Sequence, residues 1–267
     1  MGVTVKHFDI YDGATRLDAV LSMPEGANVR PGETETGTAG SKIPLCIILH
    51  GFTGNKDERH LLAVSDMMNE LGMATLRADF YGHGLSDGEF KHHTLDIWVS
   101  NALAEINYAR STNLFSKIYL CGHSQGGLTI MLAGTKFQDL IDGIIPMSPA
   151  IVILSGARKG DLLGNKFDTN NIPGEFQAKE GWILCDTYIR SALSIEIEPV
   201  IAAFKKPVFI VHGSADATCP IDEVMEAAKG YADCTFVPIE GETHCFDNHL
   251  DEAVAAIRDY LVARQWV

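Results

Sequence analysis

No stretch of this chain approaches the roughly 18 consecutive apolar side chains that a helix needs to cross a bilayer, so a membrane span is not expected. The six cysteines (Cys46, Cys121, Cys185, Cys219, Cys234 and Cys245) show no C-x-x-C spacing, and several stand inside apolar runs, as reduced core residues do. Basic residues are few: 21 against 35 acids give a net charge of -14, which repels nucleic acid and anionic membrane surfaces and excludes both as expected partners. The start, Met1-Gly2-Val3-Thr4-Val5-Lys6, has neither an apolar segment behind a basic cluster nor a hydroxyl residue at position six, so neither a signal peptide nor myristoylation is expected and the cytoplasm is the default location. H-x-x-x-H and H-x-H pairs are missing, adjacent His92 and His93 point apart in any regular structure, and no glycine-rich phosphate or dinucleotide fingerprint follows the first strands. No metal and no cofactor is expected.

What the chain does have is an ordinary globular balance, 46% apolar and 21% charged over 267 residues, enough to bury a sizeable core. Two antiparallel strands are predicted over residues 3 to 24, joined by a turn at Asp12-Gly13. A surface loop is expected from Asn28 to Lys42, where large apolar residues nearly vanish. The run Ile43 to Leu49 reads as a strand buried on both faces, followed by a helix with Val64, Met67, Met68 and Leu71 on its core face and Gly72 at its end. Met73 to Phe80 reads as a strand, and Thr94 as the cap of a helix faced by Leu95, Trp98, Val99, Ala102 and Ile106. Further strands are predicted at Lys117 to Cys121, Gly143 to Met147, Pro207 to Val211 and Thr235 to Ile239, with helices from about Ile221 and over Leu250 to Leu261. The strand and helix alternation breaks between about residues 150 and 205, a stretch too long for a connecting loop, which predicts an inserted cap on a single α/β domain spanning 1–267.

The organising segment is Gly122-His123-Ser124-Gln125-Gly126-Gly127. A strand precedes it, and Leu128, Met131 and Leu132 follow at helical spacing, so the serine stands on a sharp strand-to-helix turn, a nucleophile elbow. The same G-x-S-x-G pattern recurs at Gly84-Leu85-Ser86-Asp87-Gly88, but without strand or helix periodicity around it. Ser86 therefore reads as a hydroxyl that braces a glycine-rich loop. A serine nucleophile needs a base, and the base an orienting carboxylate, which on such folds follow in the order acid then histidine. Asp216, after the strand near Pro207, fits the acid, and His244, after the strand near Thr235, fits the base. The rivals are Glu242 for the acid and His249 for the base, and the bland reading of Asp216 is a turn residue capping the helix near Ile221, a role Asp222 could equally fill. Oxyanion donors are expected from the backbone N–H of Gln125 and, through His50-Gly51-Phe52-Thr53-Gly54, that of Phe52.

The elbow, His50-Gly51-Phe52, Arg77 to Gly84 and His212-Gly213-Ser214-Ala215-Asp216 together resemble the α/β-hydrolase superfamily, which implies a mostly parallel central sheet with helices on both faces. Within it, Lys159 to Gly164, Asn171-Ile172-Pro173, Tyr188-Ile189-Arg190 and Thr243-His244-Cys245-Phe246 resemble bacterial cinnamoyl (feruloyl) esterases. That resemblance implies hydrolysis of feruloyl, caffeoyl or p-coumaroyl esters through an acyl-enzyme, with Asp161 and Tyr188 binding the phenolic hydroxyls from the cap. The expected partner is a small-molecule ester. A monoacylglycerol lipase or serine peptidase shares the elbow and stays open as the alternative. A non-catalytic receptor on the same fold has no need of serine, acid and histidine together. The assembly is open, a homodimer included.

Overall fold

The computed structural model describes residues 2–25, 42–178 and 181–267. Residues 28–41 of the expected surface loop lie outside these. The chain opens with β1 (Val3–Asp12) and β2 (Thr15–Pro24), an antiparallel pair turning through Gly13. Then come β3 (Ile43–Leu49), α1 (Arg59–Glu70), β4 (Ala74–Ala78), α2 (Leu95–Ser111), β5 (Phe115–His123), α3 (Gln125–Lys136) and β6 (Gly143–Met147). An insertion of α4 (Val152–Lys159), the hairpin β7 (Asp161–Leu162) and β8 (Asn165–Lys166), the pair β9 (Glu175–Gln177) and β10 (Ile183–Cys185), α5 (Asp186–Leu193) and α6 (Ile197–Ala203) follows. The alternation resumes with β11 (Val208–Gly213), α7 (Ile221–Ala228), β12 (Cys234–Ile239) and α8 (Leu250–Ala263).

Eight strands form one sheet in the order β1-β2-β4-β3-β5-β6-β11-β12. β1 and β2 are antiparallel to their neighbours, and every pairing from β4 to β12 is parallel. Parallel strands carry helices on both faces, so a central strand such as β3 is apolar throughout, and Leu45 to Leu49 are all fully buried. One core cluster joins α2, α3 and the insertion to one face of the sheet, and a second joins α1 and α8 to the other. On α2 the Thr94 hydroxyl accepts the Ile97 N–H at 3.2 Å, and Leu95, Trp98, Val99, Ala102 and Ile106 are all buried. No helix among the described residues is long and apolar enough to cross a membrane.

This topology places the ends of β3, β5, β11 and β12 along one edge of the sheet, and the segment after each carries an expected site residue. The strand expected over residues 73–80 ends two residues early, at Ala78. Phe80 leaves the ladder because its N–H is taken by His50 Nε2 at 3.0 Å, which ties the end of β4 to the segment after β3.

Candidate active site

The turn at residue 124 is as sharp as the glycines around it allow. Ser124 sits at φ 56° and ψ -119°, a backbone conformation that costs a residue with a Cβ about 1–3 kcal/mol. Its N–H donates to the Met147 carbonyl at 2.9 Å, and its own carbonyl accepts from Leu128 and Ala150 at 3.0 Å each, so strand, helix and the next loop hold it in place. A Cβ on Gly122 would lie 2.5 Å from the Gly126 oxygen, and one on Gly126 would lie 2.4 Å from the His50 oxygen. Only glycine permits these approaches.

Ser124 Oγ stands 2.8 Å from His244 Nε2, and His244 Nδ1 stands 2.7 Å from Asp216 Oδ2. The other Asp216 oxygen accepts the N–H groups of Thr218 at 2.9 Å and Cys219 at 2.8 Å, which fixes the plane of the carboxylate. Burial pushes the Asp216 carboxyl up, but the hydrogen bond and charge of His244 outweigh it and leave its pKa below the ordinary 3.8. Asp216 is thus an anion positioned to hold His244 with a proton on Nδ1 and a lone pair on Nε2 toward the serine. Such a chain can draw the proton from the hydroxyl as oxygen attacks an acyl carbon, and then deliver it to a leaving group. His123, beside the serine, donates from Nε2 to the His244 carbonyl at 2.8 Å and steadies the histidine's backbone.

The two backbone groups expected to serve an oxyanion come from segments beside this serine. Gln125 is the first residue of α3, so its N–H is among the helix's first-turn donors, where the dipole favours negative charge. Phe52 follows Gly51, whose hypothetical Cβ would come within 3.2 Å of the Ser124 Cβ, so its backbone passes close to the serine. Its carbonyl is engaged by His83 Nε2. The segment is anchored from behind by Lys56, a buried ammonium bonded to Asp18 at 2.7 Å and Asp79 at 3.0 Å. Burial pulls that ammonium down, and the two carboxylates more than reverse it and keep it charged.

The rivals do other work. Ser86 accepts the Asp18 N–H at 2.8 Å and donates to the Asp79 carbonyl, bracing its loop. His249 precedes α8 with Nδ1 3.2 Å from Glu252, and Asp222 lies exposed in the first turn of α7. Glu242, fully buried, accepts backbone N–H groups from Thr243, Asn248 and His249 at 2.5, 3.1 and 2.5 Å, and so shapes the loop that carries His244. Burial raises this carboxyl, but those donors outweigh it and hold its pKa below the ordinary 4.5. The folded pKa is depressed, so the stabilisation is whole above the ordinary value and is lost as pH falls through the folded one. Glu242→Gln should lower unfolding free energy by about 2 kcal/mol at pH 7. In denaturant titrations that gap should begin to narrow as the pH falls below 4.5 and close once it passes below the depressed folded value, where wild type loses the charge too.

Of the two cap residues, Tyr188 is bonded to the residue after the nucleophile, and Asp161 stands on the cap hairpin. Tyr188, fully buried on α5, donates its hydroxyl to Gln125 Oε1 at 2.6 Å and packs edge-on against Phe52, the ring centroids 5.9 Å apart. Asp161 lies half-buried on the β7–β8 hairpin. Sequence reasoning missed the Tyr188–Gln125 bond, the Lys56 anchor and the role of Glu242. Lys56 stands in a charged run, Lys56-Asp57-Glu58-Arg59, that reads as a solvated surface, and its partners Asp18 and Asp79 are far off in the chain.

A family model described as serine aminopeptidase, S33, matches residues 40–171. The structure of Est1E from Butyrivibrio proteoclasticus with ferulic acid bound is 43% identical in sequence, at a TM-score of 0.90, and the match covers 97% of this chain and 100% of that one. A carboxylesterase of Bacillus subtilis is 31% identical over 109 residues, a match that spans 41% of this chain and 42% of the relative. The monoglyceride lipase of Rattus norvegicus is 21% identical over 252 residues, covering 82% of this chain and 81% of that protein. With a mostly parallel sheet, a strained serine turn and a serine, histidine and aspartate drawn from the loops after β5, β12 and β11, and with Est1E matched along its whole length, the chain belongs to the α/β-hydrolase family.

Proposed function

We propose that the protein is a serine carboxylesterase that hydrolyses hydroxycinnamate esters, feruloyl, caffeoyl or p-coumaroyl, through an acyl-enzyme. Ser124 attacks the ester carbonyl as His244 takes its proton, the N–H groups of Phe52 and Gln125 receive the oxyanion, and His244 protonates the departing alcohol. Water, deprotonated by the same imidazole, then releases the acid. The observation that carries the substrate is the 43% identity, over 97% of this chain, to a protein whose structure holds ferulic acid. A set of ring contacts that runs from Phe52, beside the serine turn, through Phe90, His93 and Tyr188 to Trp182 supports an aromatic acyl group.

The test is kcat/KM for methyl ferulate beside a short aliphatic p-nitrophenyl ester and a monoacylglycerol. Burying an aromatic ring is worth about 1.5–3 kcal/mol, so the ferulate ester should be preferred by about 10- to 100-fold. Preference for the glyceride would place the protein with the lipase it resembles and remove the aromatic acyl group from the reading.

A further inference from the structure

Beside the candidate nucleophile lies a second group of chemistry-bearing side chains whose facing atoms, Glu58 Oε2, His60 Nε2 and His123 Nδ1, hydrolysis does not use. Glu58, His60 and His123 each present a ligating atom, and these atoms lie within 4.8 Å of one another. Glu58 Oε2, His60 Nε2 and His123 Nδ1 are all buried without a hydrogen-bond partner, and the first two are 4.0 Å apart. Three unsatisfied polar atoms turned toward one point are costly to leave bare.

The donor set is specific. His123 already gives its Nε2 proton to the His244 carbonyl at 2.8 Å, which leaves a lone pair on Nδ1. A ring nitrogen oriented by a backbone carbonyl on its far side is the usual support of a metal-bound histidine. Two imidazoles and one carboxylate suit zinc and its neighbours, at about 2.0–2.2 Å per ligand. The room is made by glycine: a Cβ at 54 would stand 2.3 Å from Glu58 Oε2, and one at 51 would stand 3.3 Å from His123 Nδ1. Glu58, whose side chain is 29% exposed, gives the way in from solvent, with backbone N–H groups of Gly51 and Asn55 holding its carboxylate and Oε2 left over for an ion.

We propose that Glu58, His60 and His123 bind one divalent transition-metal ion of the zinc class, and that its occupancy slows hydrolysis. The binding part stands on its own; the slowing rests on the esterase reading. The His123 and His244 rings are 4.8 Å apart. A dication behind His123 therefore disfavours the imidazolium that His244 must become in the transition state.

A second trio, Asp216, Cys219 and His244, also falls within 4.8 Å, but its Asp216 and His244 atoms are committed to each other and burial pushes the Cys219 thiol up. A metal there would have to dismantle the triad. At the surface, Cys185 Sγ lies 3.4 Å from His92 Nδ1 and offers a further background site.

The experiment is calorimetric titration of the chelator-treated full-length protein with zinc chloride, and with cobalt(II) chloride followed by its visible absorption. Wild type, Glu58→Gln, His60→Gln, His92→Gln and His244→Gln are compared, with thermal unfolding to verify folding. We expect one site of micromolar affinity or tighter, weakened at least about 100-fold in Glu58→Gln and His60→Gln. It should be retained in His92→Gln and His244→Gln, since the latter keeps the backbone carbonyl that supports His123. If His60→Gln fails to fold, the partly exposed Glu58→Gln decides. Absence of binding in wild type, or binding lost only in His92→Gln or His244→Gln, overturns the site. In wild type, kcat should fall as the site fills, at zinc concentrations where Glu58→Gln is unaffected; zinc bound at full kcat overturns the slowing alone. A metal-free protein that hydrolyses no ester counts against the esterase reading and leaves the titration valid.

Discussion

Ser124→Ala should lower kcat on methyl ferulate by about 10^5- to 10^6-fold with KM little changed, because removing the nucleophile of a cooperating triad costs nearly as much as removing all of it. The variant should fold as wild type does: the lost hydroxyl has its contact with His244 at 2.8 Å, and the turn is held by backbone bonds that alanine keeps. A fluorophosphonate should label wild type at one position and leave the variant unlabelled. Single-turnover kinetics check the effect, and a variant that keeps even a hundredth of the wild-type rate would assign the nucleophile elsewhere.

Asp216→Asn should cost about 10^4-fold in kcat, and the hydrogen bonds around residue 216 say why. Oδ1 receives the N–H groups of Thr218 and Cys219 at 2.9 and 2.8 Å, so the amide oxygen of an asparagine must settle there. Its NH2 then faces His244 Nδ1 and compels that nitrogen to accept. The ring proton moves to Nε2, against the serine hydroxyl, and the base is lost while the geometry survives. The loss should shrink as the pH is raised, where hydroxide can replace the base. A drop of less than about tenfold at neutral pH would mean that the carboxylate is not what orients His244.

The parts of the site that were legible in the sequence are those set by neighbours along the chain. Ser124 and Ser86 share one pattern, and the strand before and helix after Ser124 separate them. The structure puts the first on a turn between β5 and α3 and the second on a loop whose backbone it braces. Position in the loops that leave two late strands preferred Asp216 and His244 to Glu242 and His249, and the structure brings the preferred pair to Ser124. What was hidden depends on the path of the chain in space. Glu242 meets N–H groups up to seven residues on, which a loop's course decides, and Tyr188 reaches Gln125 across 63 residues through the cap. Glu58 and His60 form no histidine pair at short spacing, and they acquire a third neighbour only when His123 is carried beside them at the end of β5.

The strained backbone at Ser124 sets a rule for anyone who would improve this protein. At φ 56° glycine would rest where serine is forced, so the residue that best suits the fold is not the one that suits the chemistry. A library sorted for heat resistance alone is thus rewarded for discarding the nucleophile, and will enrich inert, sturdier chains. Selection for durability has to be coupled to turnover in the same round, since at this one position the two pull the sequence in opposite directions.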